Sequence, residues 1–216
     1  MSARPDNRLR RLWQTTPSPF LPRHSLLDYH DDWNLIALGA LNAAQVGWWC
    51  GLFGSGALNA LFVADAAYLI ADTCWLIFAP SCVPVKARGT LLMHHCLICF
   101  VLPVAAGKPV LMRHLLRTWI VELHSWTHIA TRRLRSKRLS ALAHGVNKPF
   151  FFVIRLVAFP ITYLSYSRER AALPSELMLA HAPLRVHALL SLAHFSLYGL
   201  MLKWGWGLLL SSGSSS

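Results

Sequence analysis

Apolar residues in this chain run in long blocks rather than in short amphipathic periods. Six blocks stand out, at about Trp33–Phe53, Ala57–Ala79, Gly89–Ala106, Val110–Ala130, Pro149–Tyr166 and Val186–Trp206. Each approaches the ~20 residues needed to cross hydrocarbon at ~1.5 Å per residue. Turn-forming residues separate them: Gly54–Gly56, Pro80 with Pro84, and Gly107-Lys108-Pro109. Asn147 and Pro149 stand where an N-cap and a first-turn proline would open the fifth block. Pro103 and Pro160 fall inside the two shortest blocks, which is tolerable where neighbouring helices satisfy the freed carbonyls. The pattern predicts an all-α polytopic transmembrane helix bundle of about six spans. One transmembrane domain, 33–210, follows a polar, proline-bearing segment, 1–32, and precedes a Ser-Gly tail, 211–216. The N-terminal segment has no apolar h-region, so no cleaved signal peptide is expected.

Composition agrees with the blocks. Of 216 residues, 55% are hydrophobic and 14% charged, more apolar surface than a water-soluble fold of this size hides. The net charge of +12 would suggest nucleic acid in a soluble protein, but here the basic residues lie mainly between blocks, where they set topology. No nucleic-acid partner is expected. The N-terminal segment and the second and fourth loops hold thirteen basic residues: Arg4, Arg8, Arg10, Arg11, Arg23; Lys86, Arg88; Arg132, Arg133, Arg135, Lys137, Arg138 and Lys148. The opposite side holds six: Lys108, Arg113, Arg117, Arg168, Arg170 and Arg185. Both termini are therefore expected in the cytosol. The run RRLRSKR (Arg132–Arg138) either anchors the topology or also touches anionic head groups. The five cysteines show no disulfide framework, and Cys96-x-x-Cys99 reads as small apolar packing inside a helix.

Several ionisable residues lie within the blocks, where each costs ~2.5–3.5 kcal/mol on insertion scales and needs a reason. They are Asp65 and Asp72 in the second block, His94 and His95 in the third, Glu122 in the fourth and Arg155 in the fifth. Asp65 and Asp72 are seven apart and share a face with Tyr68. With alternate helices running in opposite directions, Asp72, His94, His95, Glu122 and Arg155 fall at a common depth of ~8–12 Å below the cytosolic interface. Asp65 falls one to two turns deeper. Such a layer is either a polar cavity of head-group size opening toward the cytosol, or a structural ion pair of Arg155 with Glu122 or Asp72. Adjacent histidines point ~100° apart, so one of His94 and His95 is expected to aim into the cavity while the other packs. His124 and His128 share a helix face, but the remaining histidines are scattered singly, so no metal is expected and the pair reads as interface packing.

The runs LLMHHCLICFVLPVAAG, IVELHSWTHIATRRL and NKPFFFVIRLVAFPITYL carry a resemblance. In order they give a His-His pair opening a helix (His94, His95), a Glu followed by a basic helix end (Glu122, Arg132, Arg133), and an Asn before an aromatic run with Arg and Phe-Pro (Asn147, Phe150, Phe151, Phe152, Arg155, Phe159, Pro160). This resembles the TLC-domain family of eukaryotic membrane proteins, which includes the ceramide synthases. The resemblance covers about Trp33–Tyr166, and the helix bearing Asp65, Tyr68 and Asp72 fits it. Where the synthases carry paired aspartates, this chain has Glu122-Leu123-His124-Ser125, which is closer to the non-synthase, lipid-homeostasis branch.

The resemblance implies membrane lipids as partners and the endoplasmic reticulum as location, with Golgi or plasma membrane as alternatives; oligomerisation stays open. One function is lipid binding or sensing in the polar cavity, with Asp65, Tyr68, Asp72, Glu122, Asn147 and Arg155 as lipid-contacting residues. Arg155 would meet a phosphate or carboxylate, and Glu122 or Asp72 an amine or hydroxyl. A second is acyl-CoA-dependent N-acyl transfer of ceramide-synthase type. There His94 or His95 acts as general base, and acyl-CoA is the co-substrate with no resident cofactor. A third is a structural or trafficking adaptor.

Overall fold

The computed structural model describes residues 20, 23, 25–54, 56–181 and 183–212, and among these no strand forms beyond an isolated bridge between Phe20 and Leu134. Most of the polar segment at 1–32, including Arg4, Arg8, Arg10 and Arg11, and the end of the tail lie outside the described residues, as does Ser55 in the first link. The helices are α1 (Leu26–Trp49), α2 (Ala57–Phe78), α3 (Val85–Ala105), α4 (Pro109–Thr118), α5 (Val121–Arg133), α6 (Lys137–Phe150), α7 (Phe159–Ala171), α8 (Ser175–His181) and α9 (Leu184–Ser212). A short 3-10 turn, Pro80–Cys82, follows α2, and a π-helical stretch, Phe151–Ala158, joins α6 to α7.

Among the described residues, four helical stretches are long and apolar enough to cross a membrane: Ala57–Phe78, Ala87–Ala105, Lys137–Ala171 and Leu184–Trp206. The surface agrees with this. Large apolar side chains such as Val63, Ile70, Phe78, Phe100, Val153, Leu192 and Phe195 face outward, while Asp65, Asp72, His94, His95 and Arg155 are buried. A fold with carbon outside and charge inside suits lipid rather than water.

Three elements depart from the block pattern, each for a local reason. Helix α1 begins at Leu26, not near Trp33, because Ser25 and Asp28 close a reciprocal capping box. The same helix buries Asn34, Asn42 and Gln45, which dilute its apolar character. The fourth block breaks at Trp119–Ile120 into α4 and α5, neither of which is long enough to span alone. The fifth does not start at Pro149: Asn147 and Pro149 lie inside a continuous helix whose N-cap is Ser136, accepting from the Leu139 amide. Proline removes a backbone donor and crowds the preceding turn, and the backbone beyond Pro149 widens into the π turns rather than stopping. Pro160 then falls in the first turn of α7, where the missing amide is least felt.

Packing follows from these choices. Helix α5 lies between α1 and α6, α2 packs on α3 and α4, α4 on α7, and α9 closes against α3 and the π stretch. The α1–α5 contact is close: Trp126 donates to the Leu35 carbonyl at 2.9 Å, and a Cβ on Gly39 would sit 3.1 Å from the indole nitrogen. One core gathers Leu35, Leu38, Tyr68, Trp119 and Ile129; a second gathers Phe62, Val101, Leu111, Tyr166 and Leu190. Gly51 and Gly107, with φ of 71° and 72°, end α1 and α3 in the left-handed conformation that favours glycine.

Candidate functional site

Two groups of charged residues form, one at a helix end and one inside the bundle. At the end, the acidic first turns of α1 meet the basic last turn of α5. The Arg133 guanidinium donates to Asp32 at 2.8 Å and to Asp28 at 2.7 Å, Arg132 to Asp31 at 2.9 Å, and Arg23 to Asp32 at 2.6 Å. Asp32 and Arg133 are both buried. The hydrogen bonds to Asp32 hold the Arg133 guanidinium above its ordinary value. Burial pushes the Asp31 carboxyl up, with Arg132 pulling it back down. Arg132 and Arg133 of the basic run are thus committed to α1, although Arg132 also borders the interior cavity.

That cavity, about 620 Å³, lies among α1, α2, α3, α5, α6, the π stretch and α9, within the ~300–1,000 Å³ common for ligand sites. Tyr68, Asp72, His94, His95, Glu122, Asn147 and Arg155 all line it. Asp65 does not. One to two turns along α2, it borders a narrower slot of about 60 Å³ that is otherwise mostly apolar. Cavity and slot share Leu69, His94 and Glu122, so any passage from one to the other runs by these side chains.

Each polar group on the wall has a defined setting. Arg155 sits in the π stretch and donates from Nε to His124 Nδ1 at 3.0 Å and from Nη2 to Ser125 Oγ at 2.7 Å. Its guanidinium also lies 5.5 Å from the Trp204 ring centre. No ion pair within 4.0 Å joins Arg155 to Glu122 or Asp72 among the described residues, so the structural pair weighed from the sequence does not form. Ser125, about one turn beyond Glu122 on α5, accepts from the guanidinium instead.

Asp72 is held differently, between two imidazoles. His30 Nε2 donates to one carboxylate oxygen at 2.6 Å, and His95 Nε2 stands 3.5 Å from the other. Behind His30, Asn34 Nδ2 is 3.4 Å from Nδ1, and Tyr68 donates to Asn34 Oδ1 at 2.9 Å. Thr73 Oγ1 lies 3.3 Å from His95 Nδ1. Both histidines of the pair border the cavity: His95 faces Asp72, and His94 lies beside Trp204, 6.4 Å between ring centres. Their rings are 5.6 Å apart and tilted by 54°, which lets neighbours on one helix reach different parts of the same wall.

Sequence reasoning missed His30, Asn34, Ser125, Lys203 and Trp204 on this wall. His30 was hidden by placing the start of the first helix at Trp33, and Asn34, inside that block, carries no charge to set it apart. A capping signal was present in Ser25 and Asp28. Lys203, near the end of the last block, borders the cavity as well. His124 was expected as packing, and it is the acceptor that holds Arg155. Among the described residues no three His, Cys, Asp or Glu side chains gather as a metal-ligand group. All five cysteines are free thiols.

No protein-family pattern, characterised protein or solved structure matches this chain. The functional conclusion therefore rests on the site.

Proposed function

We propose that this membrane protein binds or senses a lipid in the intramembrane cavity and acts in membrane lipid homeostasis. The observation that carries this is the lining itself: acids, imidazoles and a guanidinium from separate helices around one cavity, with the arginine and the acids not spent on each other. Arg155 uses Nε and Nη2 on the protein and leaves Nη1 for a phosphate or carboxylate of the ligand. Glu122 and Asp72 receive an amine or hydroxyl, while Leu27, Leu38, Val83, Leu91 and Phe151 receive hydrocarbon. In this reading α1 and the α4–α5 pair complete six crossings, both termini face the cytosol, and the cavity opens toward the cytosolic leaflet. The resemblance to TLC-domain proteins points the same way and favours the endoplasmic reticulum. The test is lipid mass spectrometry on protein purified from membranes. Arg155→Ala is expected to lower the co-purifying lipid about tenfold, the loss of one charge-assisted contact. Unchanged lipid in Arg155→Ala and His95→Ala alike would leave the adaptor function instead.

A second function is favoured by one specific feature, the Asp72 carboxylate set between His30 and His95. A carboxylate that orients an imidazole is what a general base needs, so His95, or His94 at the passage, could deprotonate a lipid amine for direct acyl transfer from acyl-CoA. Acyl-CoA consumption in liposomes, across sphingoid and lyso-lipid acceptors, decides this. Turnover lost in His94→Ala or His95→Ala supports it, and absence of turnover with every acceptor removes it.

A further inference from the structure

The slot beside the cavity is mostly apolar, yet four side chains around it carry buried polar atoms with no hydrogen-bond partner among the described residues. They are both carboxylate oxygens of Asp65 on α2, Nδ1 of His114 on α4, Nε1 of Trp119 at the α4–α5 break, and Nε2 of His194 on α9. All four residues are at least nine-tenths buried, at 5%, 1%, 9% and 4% exposure. A buried polar atom without a partner costs ~1–3 kcal/mol, so four such residues on one small pocket need an explanation in its occupant. The rings are also fixed in place: His194 stacks on Phe159 at 4.0 Å, and His114 packs on Tyr166 at 4.7 Å.

The chemistry of these atoms narrows the occupant. An ionised Asp65 only accepts, Trp119 only donates, and each imidazole nitrogen does either according to its tautomer. An ammonium would satisfy Asp65 but not Trp119, and an ester carbonyl would satisfy Trp119 but not an ionised Asp65. A hydroxyl donates and accepts, and so serves both. At about 60 Å³ the slot admits the end or a short stretch of a chain, not a head group. We infer that the slot selects a lipid whose hydrocarbon chain carries a hydroxyl group. This deepens the proposal of a lipid cavity and rests on it. The head group sits among Arg155, Glu122 and Asp72, and the chain passes Leu69, His94 and Glu122 to bring its hydroxyl to Asp65 and Trp119.

The experiment uses full-length protein in nanodiscs loaded with equimolar matched pairs. These are stearoyl and hydroxystearoyl lysophosphatidic acid, and the two corresponding ethanolamides, with the hydroxyl mid-chain or terminal. Retained lipid is quantified by mass spectrometry after purification. The wild type is expected to retain a hydroxylated member about tenfold over its plain partner in at least one series, the worth of one or two good hydrogen bonds. Trp119→Phe and His194→Phe are expected to bring that ratio toward one, the loss falling on the hydroxylated member. Equal retention of both members by the wild type overturns the inference and leaves the lipid cavity standing, with water as the partner of the orphaned atoms. A ratio untouched by either variant overturns it too. Retention of no probe at all overturns both. Should His194→Phe fail to fold, the wild-type ratio and the milder Trp119→Phe still decide.

Discussion

The two charged regions of this protein use the same residue types to opposite ends. Where α1 meets α5, acids and arginines are matched one against another at 2.6–2.9 Å. Around the cavity, Arg155 and the carboxylates are kept apart: the guanidinium rests on His124 and Ser125, and Asp72 lies between two imidazoles; in the neighbouring slot, Asp65 has no hydrogen-bond partner among the described residues. Direct pairing would have been the cheaper way to bury these charges. The first region is a clasp and the second a receptor. Burial of charge alone does not separate structure from function; the identity of the hydrogen-bond partner does.

The contrast can be broken from either side. Arg133→Met strikes the clasp and leaves Asp28 and Asp32 facing each other with their buried partner gone, so stability should fall by about 3–5 kcal/mol. Thermal unfolding in detergent measures it, and a loss below about 1 kcal/mol would mean the pairs are solvated and the clasp is nominal. Next in size, Asp72→Asn keeps the shape but turns a charge-assisted contact to His30 into a neutral one, at a cost of about 1–2 kcal/mol on the same scale. Arg155→Met should cost less than about 1 kcal/mol, because His124 can change tautomer and Ser125 can turn to Glu122, while an awkward buried charge is removed. That variant should nonetheless lose co-purifying lipid, and the split between stability and lipid is the signature of a receptor. The smallest effect belongs to Glu169→Gln, which weakens half-exposed bridges to Arg113 and Arg117 and should change stability by only about 0.2–1 kcal/mol.

How much of this was visible in the sequence depends on which physical signal each residue carries. Long apolar blocks mark helices wherever they lie, and so the α-helical architecture and the four clear spans were legible. The inward ionisable layer was legible for the same reason, since a charge in hydrocarbon has few places to go. Depth counting brought Asp72, His94, His95, Glu122 and Arg155 to one level, and they do line one cavity. Asp65, counted one to two turns deeper, marks the separate slot. The π stretch and the break at Trp119–Ile120 were not legible, because both depend on how neighbouring helices absorb a displaced backbone bond. His30 was lost to a boundary drawn from hydropathy, where a capping box had more to say, and Asn34 was lost because an uncharged amide gives no signal of its own. The partners of Arg155 were beyond sequence altogether: depth sets which groups can meet, and rotamers on adjoining helices set which ones do.

Native mass spectrometry of the intact protein released from nanodiscs bears most directly on the division between clasp and receptor. Wild-type chains should carry one firmly held lipid adduct, which Arg155→Met loses, while an Arg133→Lys chain, altered only at the clasp, keeps it. Adducts present in equal amount on all three proteins, or absent from all three, would contradict a lipid held by the interior charges.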